Sequence, residues 1–247
     1  MKADLVLTHI PAAHEKWKDR AAIVVDVLRA STSICQALNN GAKHVIPVDS
    51  VPAAMELAAS MGRDSLKLCG EREGKLIEGF DLGNSPYEYT EEAVAGKPLV
   101  FCSTNGSTAI VRAAHAIFAL VCGFVNISAC AKRIKESKHD ILIVCAGNEG
   151  QFALEDTVCG GMLLDIILDG FDGEVEMNDG AEAALILYRN YSGQYLKLMQ
   201  KCRHGKYLKS LGYENDLSLC ADVDKLSIVP ILKEGKIILD SGTSIES

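Results

Sequence analysis

The 247-residue chain carries 25 Lys and Arg against 33 Asp and Glu, a formal net charge of −8, and 48% of its residues are apolar. That balance favours a globular fold over disorder, and the lack of a dense basic block argues against nucleic acid as a partner. No apolar run reaches the roughly 18 residues that span a bilayer, so no membrane partner is expected.

The opening MKADLVLTHIPAAHEKW is charged and lacks the apolar region of a signal peptide; its ADLVLTH reads as a first strand. AAIVVDV is a second strand, and 30–40 a helix stopped by Gly41. AKHVIPV, a helix over VPAAMELAASMG and a short strand SLKLCG follow, then a long irregular stretch at 70–90. PLVFC, AIFALVC and ILIVCAG are further strands, separated by helices at about 107–114 and 126–137. Long helical patterns fill about 152–169 and 179–211, and LSIVPIL and KIILD close the chain as two strands across a Lys-Glu-Gly turn. Alternating strands and helices predict an α/β fold with mostly parallel or mixed sheets flanked by helices. The nine cysteines fall singly in apolar segments with no C-x-x-C pair, the pattern of reduced, buried thiols in a cytoplasmic protein.

VVDVLRASTSI with its helix and following strand can be laid on LVFCSTNGSTAI with its own, Ser31 and Ser107 standing 76 residues apart. A duplicated βαβ-type unit then predicts two similar lobes in one enzyme unit over 1–247: lobe A over about 1–90, lobe B over about 91–225, and C-terminal strands at 226–240. Chance similarity between two βαβ units is the competing explanation.

Ligands in open α/β sheets bind beyond the carboxyl ends of the strands, where helix N-termini offer free N–H groups. Five polar turns fall at such places: 26–32, 70–72, 103–108, 146–150 and 153–157. Taken singly each has a plain structural explanation. Ser31, Thr32, Ser107 and Thr108 suit helix caps, Asp26 and Arg29 an ion pair, Asn105-Gly106 a turn, and Glu155-Asp156 the first turn of a helix. Together they place carboxylates beside anion-binding amides, which a hard divalent cation and a phosphate need jointly. Known phosphate machinery is missing. Gly70 to Lys75 falls one residue short of a P-loop, no G-x-G-x-x-G occurs, and Asp26 lacks a second Asp two residues on.

The segments D-V-L-R-A-S-T, G-E-R-x-G, G-F-D-L-G-N-S-P-Y-E, S-T-N-G-S-T-A and C-A-G-N-E-G…E-D-T-x-C-G-G, in that order, resemble the 2-phosphosulfolactate phosphatase family. The resemblance runs on through L-G…D-L-x-x-C and V-P-I-L, covering nearly the whole chain. It implies a phosphoric monoester hydrolase of two-lobed α/β fold that uses Mg²⁺ to convert 2-phosphosulfolactate to sulfolactate and phosphate, on the route to coenzyme M.

With phosphate at about −1.5 to −2, such a substrate carries roughly −3.5 to −4 in all. Arg29 and Arg72 are then the expected clamp, helped by helix N-termini at Ser31 and Ser107. Asp26, Glu71 and one of Glu155 or Asp156 are the expected metal ligands. Asn84, Ser85, Asn105, Gly106, Ser107 and Asn148 are expected to bind the rest of the substrate, and Glu149 to position water. Whether water or Asp26 attacks phosphorus stays open. Two other functions stand beside this one: a related metal-dependent phosphatase of another small 2-phosphorylated acid, and a non-catalytic anion-binding module. A homodimer is the default assembly. In the basic stretch 197–209, Lys197, Lys201 and Arg203 read as a solvated helical face; His204 has the chemistry for catalysis but no partner visible in the sequence, and it is not counted with the site.

Overall fold

Runs such as AAIVV and ILIVC, apolar at every position, suit strands covered on both faces rather than half-exposed ones. The computed structural model, which describes residues 1–9 and 17–242, places them so. In chain order the first half holds β1 (Lys2–Val6), β2 (Ala21–Val25), α1 (Ala30–Asn39), β3 (His44–Pro47), α2 (Val51–Met61), β4 (Lys67–Arg72) and β5 (Lys75–Leu76). Next come α3 (Glu91–Val94), β6 (Pro98–Cys102), α4 (Gly106–Ala113), β7 (Phe118–Cys122), α5 (Ile127–Ser137) and β8 (Ile141–Cys145). The last part is α6 (Leu154–Leu168), β9 (Glu176–Met177), α7 (Asp179–Tyr191), α8 (Tyr195–Lys201), α9 (Arg203–Ser210), α10 (Glu214–Ala221), β10 (Pro230–Lys233) and β11 (Lys236–Leu239). The end of the expected signal-free N-terminal stretch, 10–16, lies outside the described residues.

These strands join in one 11-stranded sheet of order β5-β4-β6-β3-β11-β10-β7-β2-β8-β1-β9. Strands from 1–90 and from 91–225 alternate within it, and the closing hairpin β10–β11 fills its centre. Pairing is parallel through β7, β2, β8, β1 and β9, and again through β3, β6 and β4. The central hairpin pairs antiparallel with both groups, so the two groups run in opposite directions. The five polar turns expected beyond strand carboxyl ends therefore do not belong to one parallel set. Turns after β2 and β8 belong to one group, those after β4 and β6 to the other, and they meet between the two.

Side chains alternate across the sheet. Ala21, Ile23 and Val25 face a core shared with α5 to α10, while Ala22 and Val24 join α1 and α4 on the opposite face. All nine cysteines are buried and unpaired, and no helix among the described residues is long and apolar enough to cross a membrane.

Two segments differ from expectation. The irregular stretch at 70–90 is tied down by the β4–β5 hairpin, whose two turn residues Glu73 and Gly74 both have positive φ, and by a bridge from Cys69 to Leu82. The single helix expected over 179–211 is three. Gly193 (φ 71°) ends α7's extension, and extended backbone at Cys202, whose Sγ accepts the Gly205 N–H, starts α9 afresh.

Gly70 shows how closely the sheet is packed beneath the site. With φ at 141°, a Cβ here would stand 1.9 Å from the carbonyl oxygen of Cys102 on the neighbouring β6. Gly70→Ala is therefore expected to cost about 3 kcal/mol or more, from backbone strain and overpacking together. Urea unfolding of the variant measures this; an unchanged midpoint would show that β4 can shift without penalty.

Candidate active site

Between the two strand groups lies a cavity of about 270 Å³, walled by Asp26, Leu28, Arg29, Glu71, Glu73, Gly74, Asn84, Thr104, Asn105, Asn148, Glu149, Arg203, His204 and Tyr207. Seven of the residues expected from the sequence line it: Asp26, Arg29, Glu71, Asn84, Asn105, Asn148 and Glu149. Asp26, Arg29, Glu71, Asn84 and Asn105 are buried, whereas Glu73, Thr104, Glu149, Arg203 and Tyr207 are exposed around the mouth.

The turn after β2 builds the floor. Asp26 Oδ1 accepts the Ala30 N–H (3.3 Å), Ser31 N–H reaches the Asp26 carbonyl (2.9 Å), and the Asp26 N–H donates to Ser31 Oγ (3.0 Å). In the turn after β6, Ser107 Oγ likewise accepts the N–H of Ser103, and Ser107 N–H donates to Ser103 Oγ, both at 2.9 Å. Ser31 and Ser107 are fully buried in these locks, and their N–H groups already have acceptors. The phosphate-binding role expected of them gives way to a turn-forming one. Gly106 makes room: a Cβ there would lie 2.4 Å from Asp26 Oδ2.

Arg29 does not pair with Asp26. Its Nη1 donates to Asp216 Oδ2 on α10 at 2.8 Å, its Nη2 to the Gly74 carbonyl at 2.8 Å, and the Tyr213 ring lies 4.3 Å from its Cζ. Both partners of the pair are almost wholly buried, and Ser85 Oγ donates to the other Asp216 oxygen at 2.7 Å. Ser85 therefore supports the ion pair rather than lining the cavity. Asp216 stands in the D-L-x-x-C segment of the family resemblance but was not counted with the site, because its charge also suits an ordinary acidic first turn of a helix.

Glu71 and Arg72 are consecutive on β4, so their side chains leave opposite faces. Glu71 enters the site, where its two oxygens accept the N–H groups of Thr104 (2.7 Å) and Gly74 (2.8 Å). Arg72 turns to the Glu71 carbonyl and Cys102 Sγ and is not among the cavity walls, so it leaves the expected clamp. Asp156 spans the turns after β2 and β8, accepting from Val27 (2.9 Å) and Gly147 (3.1 Å). Glu155 is buried with Oε1 at 3.6 Å from His204 Nδ1. Neither Glu155 nor Asp156 is among the cavity walls.

No three His, Cys, Asp or Glu among the described residues form a ready-made metal cluster. The donor set nonetheless fits Mg²⁺, which commonly takes only one or two carboxylates and leaves the remaining positions to water and substrate oxygens. Asp26 and Glu71 are the buried carboxylates in the cavity wall. Burial pushes the Asp26 carboxyl up to about 6; His204 and the Ala30 N–H oppose this, and Glu71 and Glu155 add to it. Asp156 is held well above the usual carboxylate range by burial, then by Asp26 and Glu155. Asn84 is buried at the cavity wall with no partner for its side-chain oxygen among the described residues, so its amide is unspent.

Arg203, His204 and Tyr207, absent from the expected site, arrive because α9 restarts at Cys202. Arg203 donates to Gln151 Oε1 (3.1 Å) and the Tyr207 hydroxyl to the Glu73 carbonyl (2.9 Å), fastening α9 across the mouth. The Gly205 that allows this start was the one available signal.

Comparison with known proteins places this geometry. The family described as 2-phosphosulpholactate phosphatase matches residues 8–235. A protein of Symbiobacterium thermophilum described as "Probable 2-phosphosulfolactate phosphatase" is 42% identical over 94% of this chain and 99% of its own length. Proteins with the same description from Caldanaerobacter subterraneus subsp. tengcongensis (41%, over 88% of this chain and 90% of theirs) and Thermotoga maritima (38%, over 89% and 92%) are also similar.

Two stability measurements follow from the buried charges. Removing one partner of a buried pair strands the other, so Asp216→Ala is expected to cost about 3–5 kcal/mol, whereas replacing Arg29 and Asp216 together by Met and Leu costs far less. Equal losses in urea unfolding would contradict this. For Asp26, a carboxyl held above its ordinary 3.8 binds its proton more tightly folded than unfolded. Its ionisation therefore lowers stability as pH rises through about 6. Asp26→Asn is expected to be more stable than the parent at pH 8, by on the order of 1–3 kcal/mol, with the gain vanishing near pH 4.

Proposed function

We propose, on the premise that this chain belongs to the 2-phosphosulfolactate phosphatase family, that it is a Mg²⁺-dependent phosphatase converting 2-phosphosulfolactate to sulfolactate and phosphate, a step toward coenzyme M. One observation carries the reading. The cavity wall holds four carboxylates, Asp26, Glu71, Glu73 and Glu149, against two guanidiniums, Arg29 and Arg203, and Arg29 is already paired with Asp216. A substrate of roughly −3.5 to −4 cannot enter such a site on its own. A divalent cation held by Asp26 and Glu71 offsets the charge of those two carboxylates, and when bound it supplies Lewis-acid stabilisation of the phosphoryl oxygens.

The protein's own groups do the rest. Arg29, fixed by Asp216 and Gly74, and Arg203 at the mouth direct N–H donors to the anion. Asn84, with its unspent amide, and Asn105, Thr104 and Asn148 suit the carboxylate and sulfonate ends. Glu149, held in the left-handed region (φ 52°) with its N–H on Asn105 Oδ1, is placed at the mouth to orient water. Buried thiols and the lack of a membrane-crossing helix among the described residues support a cytoplasmic setting.

Phosphate release from 2-phosphosulfolactate is expected to require Mg²⁺, to stop with EDTA, and to fall by about 10²–10³ in Asp26→Asn. Against 2-phospholactate, which lacks the sulfonate, kcat/KM should be at least about 10²-fold lower. Comparable turnover of both compounds would move the assignment to a different 2-phosphorylated acid. Binding without phosphate release would make the chain an anion-binding module.

A further inference from the structure

We propose that His204 is a catalytic residue that protonates the departing ester oxygen, and that Glu155 is its positioning residue. The proposal rests on the phosphatase reading and deepens it. His204 lines the cavity from the first turn of α9 while its Nδ1 lies 3.6 Å from Glu155 Oε1, ion-pair range that tightens to a hydrogen bond in the substrate complex. Glu155 itself is 2% exposed and is not among the walls of this cavity, but shares an adjoining pocket with His204. An acceptor at Nδ1 fixes the ring orientation and leaves Nε2 as the working nitrogen; no group among the described residues bonds to it.

The reaction needs this group. A secondary alkoxide is a poor leaving group, and the walls opposite it are carboxylates and amides. Arg29 and Arg203 give up no protons near neutrality. Among the cavity walls His204 is the single imidazole, a side chain that can carry a proton on either ring nitrogen. In the step, the P–O ester bond breaks with its electron pair on the ester oxygen, which takes the Nε2 proton of His204. The water oxygen bonds to phosphorus and gives one proton to Glu149. Solvent then takes that proton and returns one to His204, so the cycle closes with alcohol and phosphate as products.

Leaving-group dependence tests this without relying on a pH profile. General acids contribute about 10²–10⁴, and only where the leaving group needs a proton. For the wild-type protein with Mg²⁺, kcat/KM is expected to depend weakly on leaving-group acidity across alkyl and aryl phosphates. In His204→Gln, the ratio of kcat/KM for p-nitrophenyl phosphate over 2-phosphosulfolactate should rise by about 10² or more. Glu155→Ala should raise that ratio in the same direction, and Glu155→Gln, which keeps an acceptor for Nδ1–H, should restore most of the parent ratio. Equal losses on both substrates in a folded His204→Gln protein would overturn the inference while leaving the phosphatase reading intact. If that variant does not fold, a steep leaving-group dependence in the wild type overturns it instead. A wild-type protein inactive on every monoester with Mg²⁺ would remove the premise.

Discussion

The buried contact between Arg29 and Asp216 is the constraint on which the site depends. One guanidinium joins the start of α1, the β4–β5 hairpin turn through the Gly74 carbonyl, and α10 through Asp216; Asp216 in turn takes the Ser85 hydroxyl. Segments far apart in sequence are thereby held around one cavity. Buried ion pairs give little net stability once desolvation is counted, so the benefit here lies in fixed geometry. Asp26, three residues before Arg29, is left without that cation, and burial, with smaller additions from Glu71 and Glu155, raises its proton affinity.

The opposed strand groups give this constraint its setting. Because the β10–β11 hairpin pairs antiparallel on either side, each group brings its own carboxyl-terminal turns to the cavity: those after β2 and β8 from one, those after β4 and β6 from the other. Hydrogen bonds tie these turns together, from Thr104 to Glu71 within one group and from Glu149 to Asn105 between the two. The two Ser-locked turns, at Ser31 and Ser107, have matching jobs in the two groups, while the residue that opens each differs: Asp26 in one, Ser103 in the other. One turn thus brings a carboxylate and the other a hydroxyl, and the resulting site is asymmetric although both turns carry a Ser lock.

Charge accounts for the division of labour around the cavity. Asp156 spends both oxygens on backbone N–H groups of two turns, as Glu71 does on two others, so each stitches loops together. Glu71 differs in reaching the cavity wall, and that difference follows from the alternation of side chains along β4, which also sends Arg72 away. The helix α9 closes the mouth with groups of a different kind: Arg203, His204 and Tyr207, tied to Gln151 and to Glu73.

By itself the sequence determined the alternating apolar strands, the helices between them, the burial of the cysteines and the turns that carry Asp26, Glu71, Asn105 and Glu149, since periodicity, β-branching and turn residues act over a few neighbours. Tertiary structure alone decided which charges meet: Arg29 with Asp216 rather than Asp26, Arg72 outside the cavity, and His204 inside it against Glu155. Those outcomes depend on strand direction across the central hairpin and on a helix restart at Cys202. Both are set by packing between distant segments, and no short window of residues encodes them.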